Sequence, residues 1–108
     1  MMGSQKLLVT IIQKGYAKKM IRVAMEKGLR GATVLKGRGT VNPAIFESLS
    51  GLSYNPDRDV IFTVVDTDQL KTLQDLFMQI GKMNKKNTGI MFVIDINSST
   101  GIRKQFDL

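Results

Sequence analysis

The sequence predicts an α+β sandwich: a four-stranded antiparallel sheet with two helices on one face. Three observations carry that prediction. Short apolar runs rich in β-branched residues recur at 7–12, 31–38, 60–65 and 90–96. Two other stretches, 16–27 and 67–80, repeat their apolar residues at helical spacing. These helical stretches follow the first and third runs only, which gives the order β-α-β-β-α-β.

Each element has its own signature. Leu7-Leu8-Val9-Thr10-Ile11-Ile12 is almost unbroken in its apolar character, as a buried central strand would be. Gln13-Lys14-Gly15 turns the chain. From Tyr16 to Lys27, apolar Ala17, Met20, Ile21 and Ala24 form a stripe, while Lys18, Lys19, Arg22 and Glu26 make the wet face. Gly28 suits the C-terminal cap. The second strand runs from Gly31 to Arg38 and ends in glycines alternating with cations, Lys36-Gly37-Arg38-Gly39. Val60 to Val65 is the third strand, and Asp66 or Thr67 caps a helix striped by Leu70, Leu73, Leu76, Phe77 and Ile80. Gly81 ends it. A cationic loop, Lys82 to Gly89, leads into the fourth strand, Ile90 to Ile96, and residues 97–108 form a C-terminal loop and tail.

This is the split βαβ order of a ferredoxin-like βαββαβ sandwich, one domain across residues 1–108. Met1-Met2-Gly3-Ser4 reads as a start with a tag remnant. The strands are apolar on both parities, so the sheet face turned away from the helices also needs cover. With no third helical layer in the sequence, a cyclic oligomer packing sheet against sheet is the economical cover.

The connection between the second and third strands is far longer than a hairpin needs, since compact domains usually join elements with about 4–6 residues. Pro43 to Leu49 can form a short helix with proline in its first turn. Ile45, Phe46, Leu49 and Leu52 are too apolar for a plain linker, and Asn55-Pro56-Asp57 reads as a turn.

Composition narrows the function classes. The 108 residues contain neither cysteine nor histidine, which removes disulfides, thiol nucleophiles, the commonest general base and the usual transition-metal ligands. No catalytic residues and no metal site are expected. No apolar run nears the roughly 20 residues of a membrane span, and no signal peptide is visible, so the expected location is cytoplasmic. The net charge is +7, with nine Lys/Arg in residues 1–54 against Glu26 and Glu47. A basic half of this kind suits nucleotides or acidic protein surfaces as well as a simple solvated surface.

The pattern as a whole resembles the nitrogen-regulatory PII proteins and their PII-like relatives. Three stretches carry the likeness. Gly31-Ala32-Thr33-Val34 followed by Lys36-Gly37-Arg38-Gly39 looks like the base of that family's long T-loop, here residues 39–59. Thr88-Gly89-Ile90-Met91-Phe92-Val93-Ile94-Asp95 is similar to its B-loop and last strand. Gly101-Ile102-Arg103-Lys104 falls where its C-terminal loop offers cations to a neighbouring subunit. The chain departs from the family at Ile90, where a lysine usually follows the last B-loop glycine. No tyrosine stands in the T-loop context that the family modifies, so no uridylylation is expected, and Tyr54 reads as a packing or partner contact.

The resemblance implies a non-catalytic signal-transduction protein, a homotrimer that binds ATP or ADP in clefts between subunits. It has no obligatory cofactor. The nucleotide-binding positions it implies are Thr33, Gly37, Arg38, Gly39, Lys86, Thr88, Gly89, Arg103 and Lys104. The glycines would expose N–H donors to phosphate, the cations would pair with it, and the Thr33 hydroxyl would meet the adenine edge. Ile45, Phe46, Leu49 and Tyr54 would engage a target such as a membrane transporter or metabolic enzyme. Taken singly, the glycines read equally well as turn residues, while Arg103 and Lys104 read better as tail charges and Thr33 as a plain strand residue.

An alternative is a PII-like interaction subunit that has lost nucleotide binding or senses AMP or a cyclic dinucleotide. Nucleic acid is not an expected partner: only Phe62 and Phe92 lie on strands, both within apolar runs. A small phosphate-ester hydrolase of this fold is less favoured still, lacking histidine, cysteine and paired carboxylates at a strand end.

Overall fold

The structure is a computed structural model that describes residues 4–39, 56–85 and 88–101. Its elements are β1 (Gln5–Gln13), α1 (Ala17–Glu26), β2 (Thr33–Arg38), β3 (Asp57–Asp66), α2 (Thr67–Ile80) and β4 (Gly89–Asp95). The four strands form one antiparallel sheet in the order β2-β3-β1-β4, the ferredoxin-like arrangement that the sequence predicts. β1 and β3 are the inner strands, and each extends beyond its apolar run.

Strand alternation sorts side chains into two faces. Leu8 and Ile12 of β1 and Ile61 and Val65 of β3 turn toward the helices, where they pack with Met20, Ala24, Leu73 and Phe77. Phe77 is fully buried. Sequestering one such ring contributes about 1.5–3 kcal/mol, so this layer is the main source of stability.

Register gives the other face just as clearly. Leu7, Val9 and Ile11 lie between Val64, Phe62 and Val60 on one side and Ile94, Phe92 and Ile90 on the other. β2 adds Leu35 beside Val60. This second apolar face has no helix over it among the described residues. Ile90, Ile94, Leu35 and Phe92 are exposed at 55, 47, 46 and 42 %, far more than a helix-covered sheet would allow.

The helix ends show which local signals the fold uses. α1 closes in a Schellman motif: Leu29 N–H donates to Ala24 O, Gly28 N–H to Met25 O, and Gly28 takes a φ of 112°. Leu29 then drops into the core. α2 closes the same way, but the left-handed residue is Lys82 (φ 52°), one position after Gly81. Gly81 is small for a different reason, since a Cβ there would sit 2.9 Å from Ile12 Cδ1.

The start of α2 departs from expectation. Asp66 occupies the cap position, yet its carboxylate makes no cap bond and accepts instead from Gln5 Nε2 at 3.3 Å. The cross-strand register sets Gln5 opposite Asp66, and that contact takes the side chain. Thr67 donates both its N–H and its hydroxyl to Ser4 O, tying the beginning of β1 to the beginning of α2. No helix among the described residues is long and apolar enough to cross a membrane.

One polar atom in the sheet is anomalous. Thr10 is fully buried and its hydroxyl has no partner, whereas Thr63 donates to Leu8 O at 3.2 Å. An unsatisfied buried hydroxyl costs about 1–3 kcal/mol. Thr10→Val should therefore leave the urea midpoint unchanged or raise it, with a gain of up to about 1 kcal/mol. A loss of stability in that variant would show that the hydroxyl is satisfied after all.

Candidate functional site

The pairing of β2 with β3 runs to the very end of both strands. Lys36, Gly37 and Arg38 face Asp59, Arg58 and Asp57, and Gly39 N–H donates to Pro56 O at 2.7 Å. The chain therefore leaves at Gly39 and returns at Pro56 through a closed two-stranded neck. Opposite charges face each other across it.

Asp59 is the pivot of this neck. Its buried carboxylate accepts from Lys36 Nζ at 2.7 Å through one oxygen and from Gly15 N–H at 3.4 Å through the other. Lys36 is mostly exposed, so solvent screening limits the pair to about 0–1 kcal/mol. The positional effect is the larger one, because Asp59 fastens the turn before α1 to the neck. Asp57 O does the same, accepting from Lys14 N–H at 3.3 Å and from Arg58 Nη1 at 2.9 Å.

Together these contacts enclose a cleft of about 360 Å³ lined by Lys14, Lys36, Gly37, Arg38, Asp57 and Arg58. That volume is at the lower end of the range of small-molecule sites. Four cations line it against Asp57, with Asp59 behind, so positive charge is in excess by two. Such a site favours an anion. By contrast, the crevice between the helices, lined by Ala24, Leu29, Val65 and Leu73 among others, holds only about 30 Å³, room for a single water.

The loop before β4 closes onto the same end of the sheet. Gln13 N–H donates to Thr88 O at 3.0 Å. The buried Thr88 hydroxyl donates toward Lys82 O and Lys85 O, at 2.9 and 3.1 Å, which draws the loop against the end of α2. Gly89 lies opposite Ile12, and a Cβ there would be 2.6 Å from Ile11 O and 2.7 Å from Ile12 Cδ1. Packing alone therefore demands glycine at 89. Gly37 is different, since a Cβ there would meet only Val60 Cγ2 at an ordinary 3.6 Å.

The expected site residues thus separate into groups. Gly37 and Arg38 line the cleft, and Gly39 closes the neck. Thr88 and Gly89 lie at the same sheet end, on the far side of β1. Thr33 starts β2, exposed and four residues from Gly37, or about 13 Å along an extended strand. Lys86, Arg103 and Lys104 lie outside the described residues, as do Ile45, Phe46, Leu49, Tyr54 and the short helix expected from Pro43 to Leu49.

Sequence reasoning missed Lys14, Asp57, Arg58 and Asp59 as parts of the site. The available signal was the complementarity of Lys36-x-Arg38 and Asp57-x-Asp59, which fixes a hairpin register with opposite charges paired. Among the described residues, no group of three or more His, Cys, Asp or Glu side chains could hold a metal ion.

No protein-family model matches the chain, and no curated protein matches it by sequence. Solved structures do match. One is the PII protein of Arabidopsis thaliana bound to citrate, at 15 % identity and a TM-score of 0.66, over 87 % of this chain and 78 % of that one. Another is a DUF3240-family protein from Shewanella baltica, at 16 % identity and a TM-score of 0.68, over 94 % of this chain and all of that one. The chain has the fold of these proteins.

Gly89→Ala should cost about 1–3 kcal/mol in urea unfolding without any ligand, through forced displacement of Ile12 and the β1 backbone. Gly37→Ala should unfold within about 0.5 kcal/mol of the parent. Equal stability of the two variants would contradict the packing role of Gly89.

Proposed function

We propose that this protein is a non-catalytic, PII-like regulatory subunit. An adenine nucleotide, ATP or ADP, places its phosphates in the cationic cleft at the neck. Its occupancy biases residues 40–58, which engage a target such as a membrane transporter or metabolic enzyme. The subunits form a homotrimer, packed through the second apolar sheet face, in which a neighbour completes each site. The protein works in the cytoplasm.

The cleft at the root of the 40–55 segment is the observation that carries this reading. Phosphate needs several cations and an approach clear of side chains; Lys14, Lys36 and Arg38 offer the first and Gly37 the second. A glycine that packing does not require, at the mouth of a cationic cleft, is the residue a ligand would explain. The citrate in the Arabidopsis thaliana PII structure is a small polyanion held by a protein of the same fold. Thr33, about 13 Å away along β2, is within the length of an extended nucleotide. Lys86, Arg103 and Lys104 would supply further cations, those of the tail across a subunit boundary. Thr88 and Gly89 would shape the opposite wall through backbone groups, since the Thr88 hydroxyl already serves Lys82 O and Lys85 O.

One observation favours a second reading, an interaction subunit that responds to AMP, to a cyclic dinucleotide or to no nucleotide. Ile90, at the position of the family lysine, lies beside Ile11 on the second apolar face. It enlarges that face and adds no charge near the cleft. An RNA-binding sheet is less well supported. Phe62 and Phe92 flank Val9 on that face, as a stacking platform would require, but apart from Thr33 their neighbours there are aliphatic, and none is a cation to hold phosphate.

Isothermal titration with ATP, ADP, AMP and cyclic dinucleotides discriminates these readings. The sensor reading expects saturable heat with ATP or ADP. Arg38→Ala should weaken binding at least about tenfold at unchanged oligomeric mass, through loss of one charge-assisted hydrogen bond, and Gly37→Ala should weaken it through the methyl group it places beside the phosphates. Absence of heat with every ligand, on an assembled protein, overturns the nucleotide claim.

A further inference from the structure

The positive charge of the chain is concentrated on α1 and its flanks. Lys18, Lys19 and Arg22 project from the helix face opposite buried Ala17, Met20 and Ala24, and Lys14 and Lys27 extend the same sign at either end. All five are exposed. Among the described residues none of them pairs with a carboxylate, and Glu26 is the lone acid of the helix. Met25, exposed at 46 %, lies on the wheel beside Lys18 and Arg22.

The neighbouring helix is built differently. The exposed face of α2 carries Asp68 and Asp75, and its Lys71 is held by Asp75 at 3.0 Å. The excess charge is thus a property of one helix face and not of the helical layer as a whole. α1 also lies on the opposite side of the sheet from the second apolar face, so an assembly through that face leaves α1 outermost.

From this we infer that the outer face of α1 docks on an anionic phospholipid bilayer. A row of lysine and arginine heads along one helix, outnumbering the one acid Glu26 among them and edged by the flexible apolar Met25, matches the headgroup layer of such a membrane. Lysine stems keep their charge at headgroup depth while methionine enters the acyl boundary. Nucleic acid fits this face less well. It carries no aromatic for stacking and no Asn or Gln for base edges, and the opposite side of the helix is committed to the sheet. The inference stands apart from the nucleotide reading, because none of the helix residues lines the cleft at the neck and of the five cations only Lys14, on the flank, does.

Co-sedimentation with large unilamellar vesicles tests it on the full chain. At about 50 mM salt, vesicles of phosphatidylcholine with one-third phosphatidylglycerol should bind on the order of 10²- to 10³-fold more tightly than phosphatidylcholine alone, and 500 mM salt should release the protein. The double variant Lys18→Glu/Arg22→Glu should lose at least about 10²-fold in binding, with its thermal melt unchanged. Lys82→Glu/Lys85→Glu changes the net charge equally on another surface and should retain at least half of the bound fraction. Equal losses in the two double variants would reduce the effect to overall charge and overturn the proposal. So would indifference to lipid charge, or binding of a duplex oligonucleotide at the same salt with no vesicle binding.

Discussion

A sheet that is apolar on both faces governs this molecule. One face is satisfied within the chain, where Phe77, Met20 and their neighbours cover Leu8, Ile12, Ile61 and Val65. The other is not. Val9 is already nearly buried by its strand neighbours, but Ile90, Phe92, Ile94 and Leu35 around it are left largely exposed. Apolar area of that kind contributes about 25 cal/mol per Å² when it leaves water, a steady force toward partnership. β1 lies at the centre of both layers, so its register fixes the helical core and the second face at once.

The same register builds the neck. Because β3 pairs β1 over nine positions, its first residues reach beyond the apolar run and set Asp57, Arg58 and Asp59 against the end of β2. Asp59 then links that end to Gly15, and the turn before α1 brings Lys14 to the cleft. Three separate stretches of sequence meet there through two carbonyl bonds and one buried carboxylate. In the reading proposed above, an anion entering the cleft competes with Asp57 and Asp59 for the same cations. A ligand can then bias the segment beyond Gly39 only to the extent that it binds one arrangement of the neck more tightly than another.

Much of the fold was legible in the sequence because it rests on periodicity. The doubled parity of Leu7 to Ile12 foretold a central strand that is apolar on both faces, and the stripes of the two helices foretold the single covered face. The cap at Gly28 was legible because the left-handed position and the glycine coincide. At α2 they do not: Lys82 takes the left-handed turn while Gly81 makes room for Ile12, a tertiary demand that no local pattern encodes. Asp66 misled for a similar reason, its carboxylate drawn across the sheet to Gln5. Within the candidate site, Gly37 and Arg38 were visible as a glycine-and-cation strand exit. Lys14 and Asp59 were not, because their roles arise only when the turn and the neck meet in space. Gly89 was read as a ligand-binding glycine, and its backbone approach to Ile11 gives it a packing duty that suffices to explain it.

The proposed assembly and the proposed shared nucleotide site both depend on the second apolar face. Sedimentation equilibrium over a hundredfold range of protein concentration tests it most directly. A trimer packed through that face gives a mass near three times 12.0 kDa that persists on dilution to the micromolar range. A species of 12.0 kDa throughout, with the exposed isoleucines and Phe92 left in water, would contradict it.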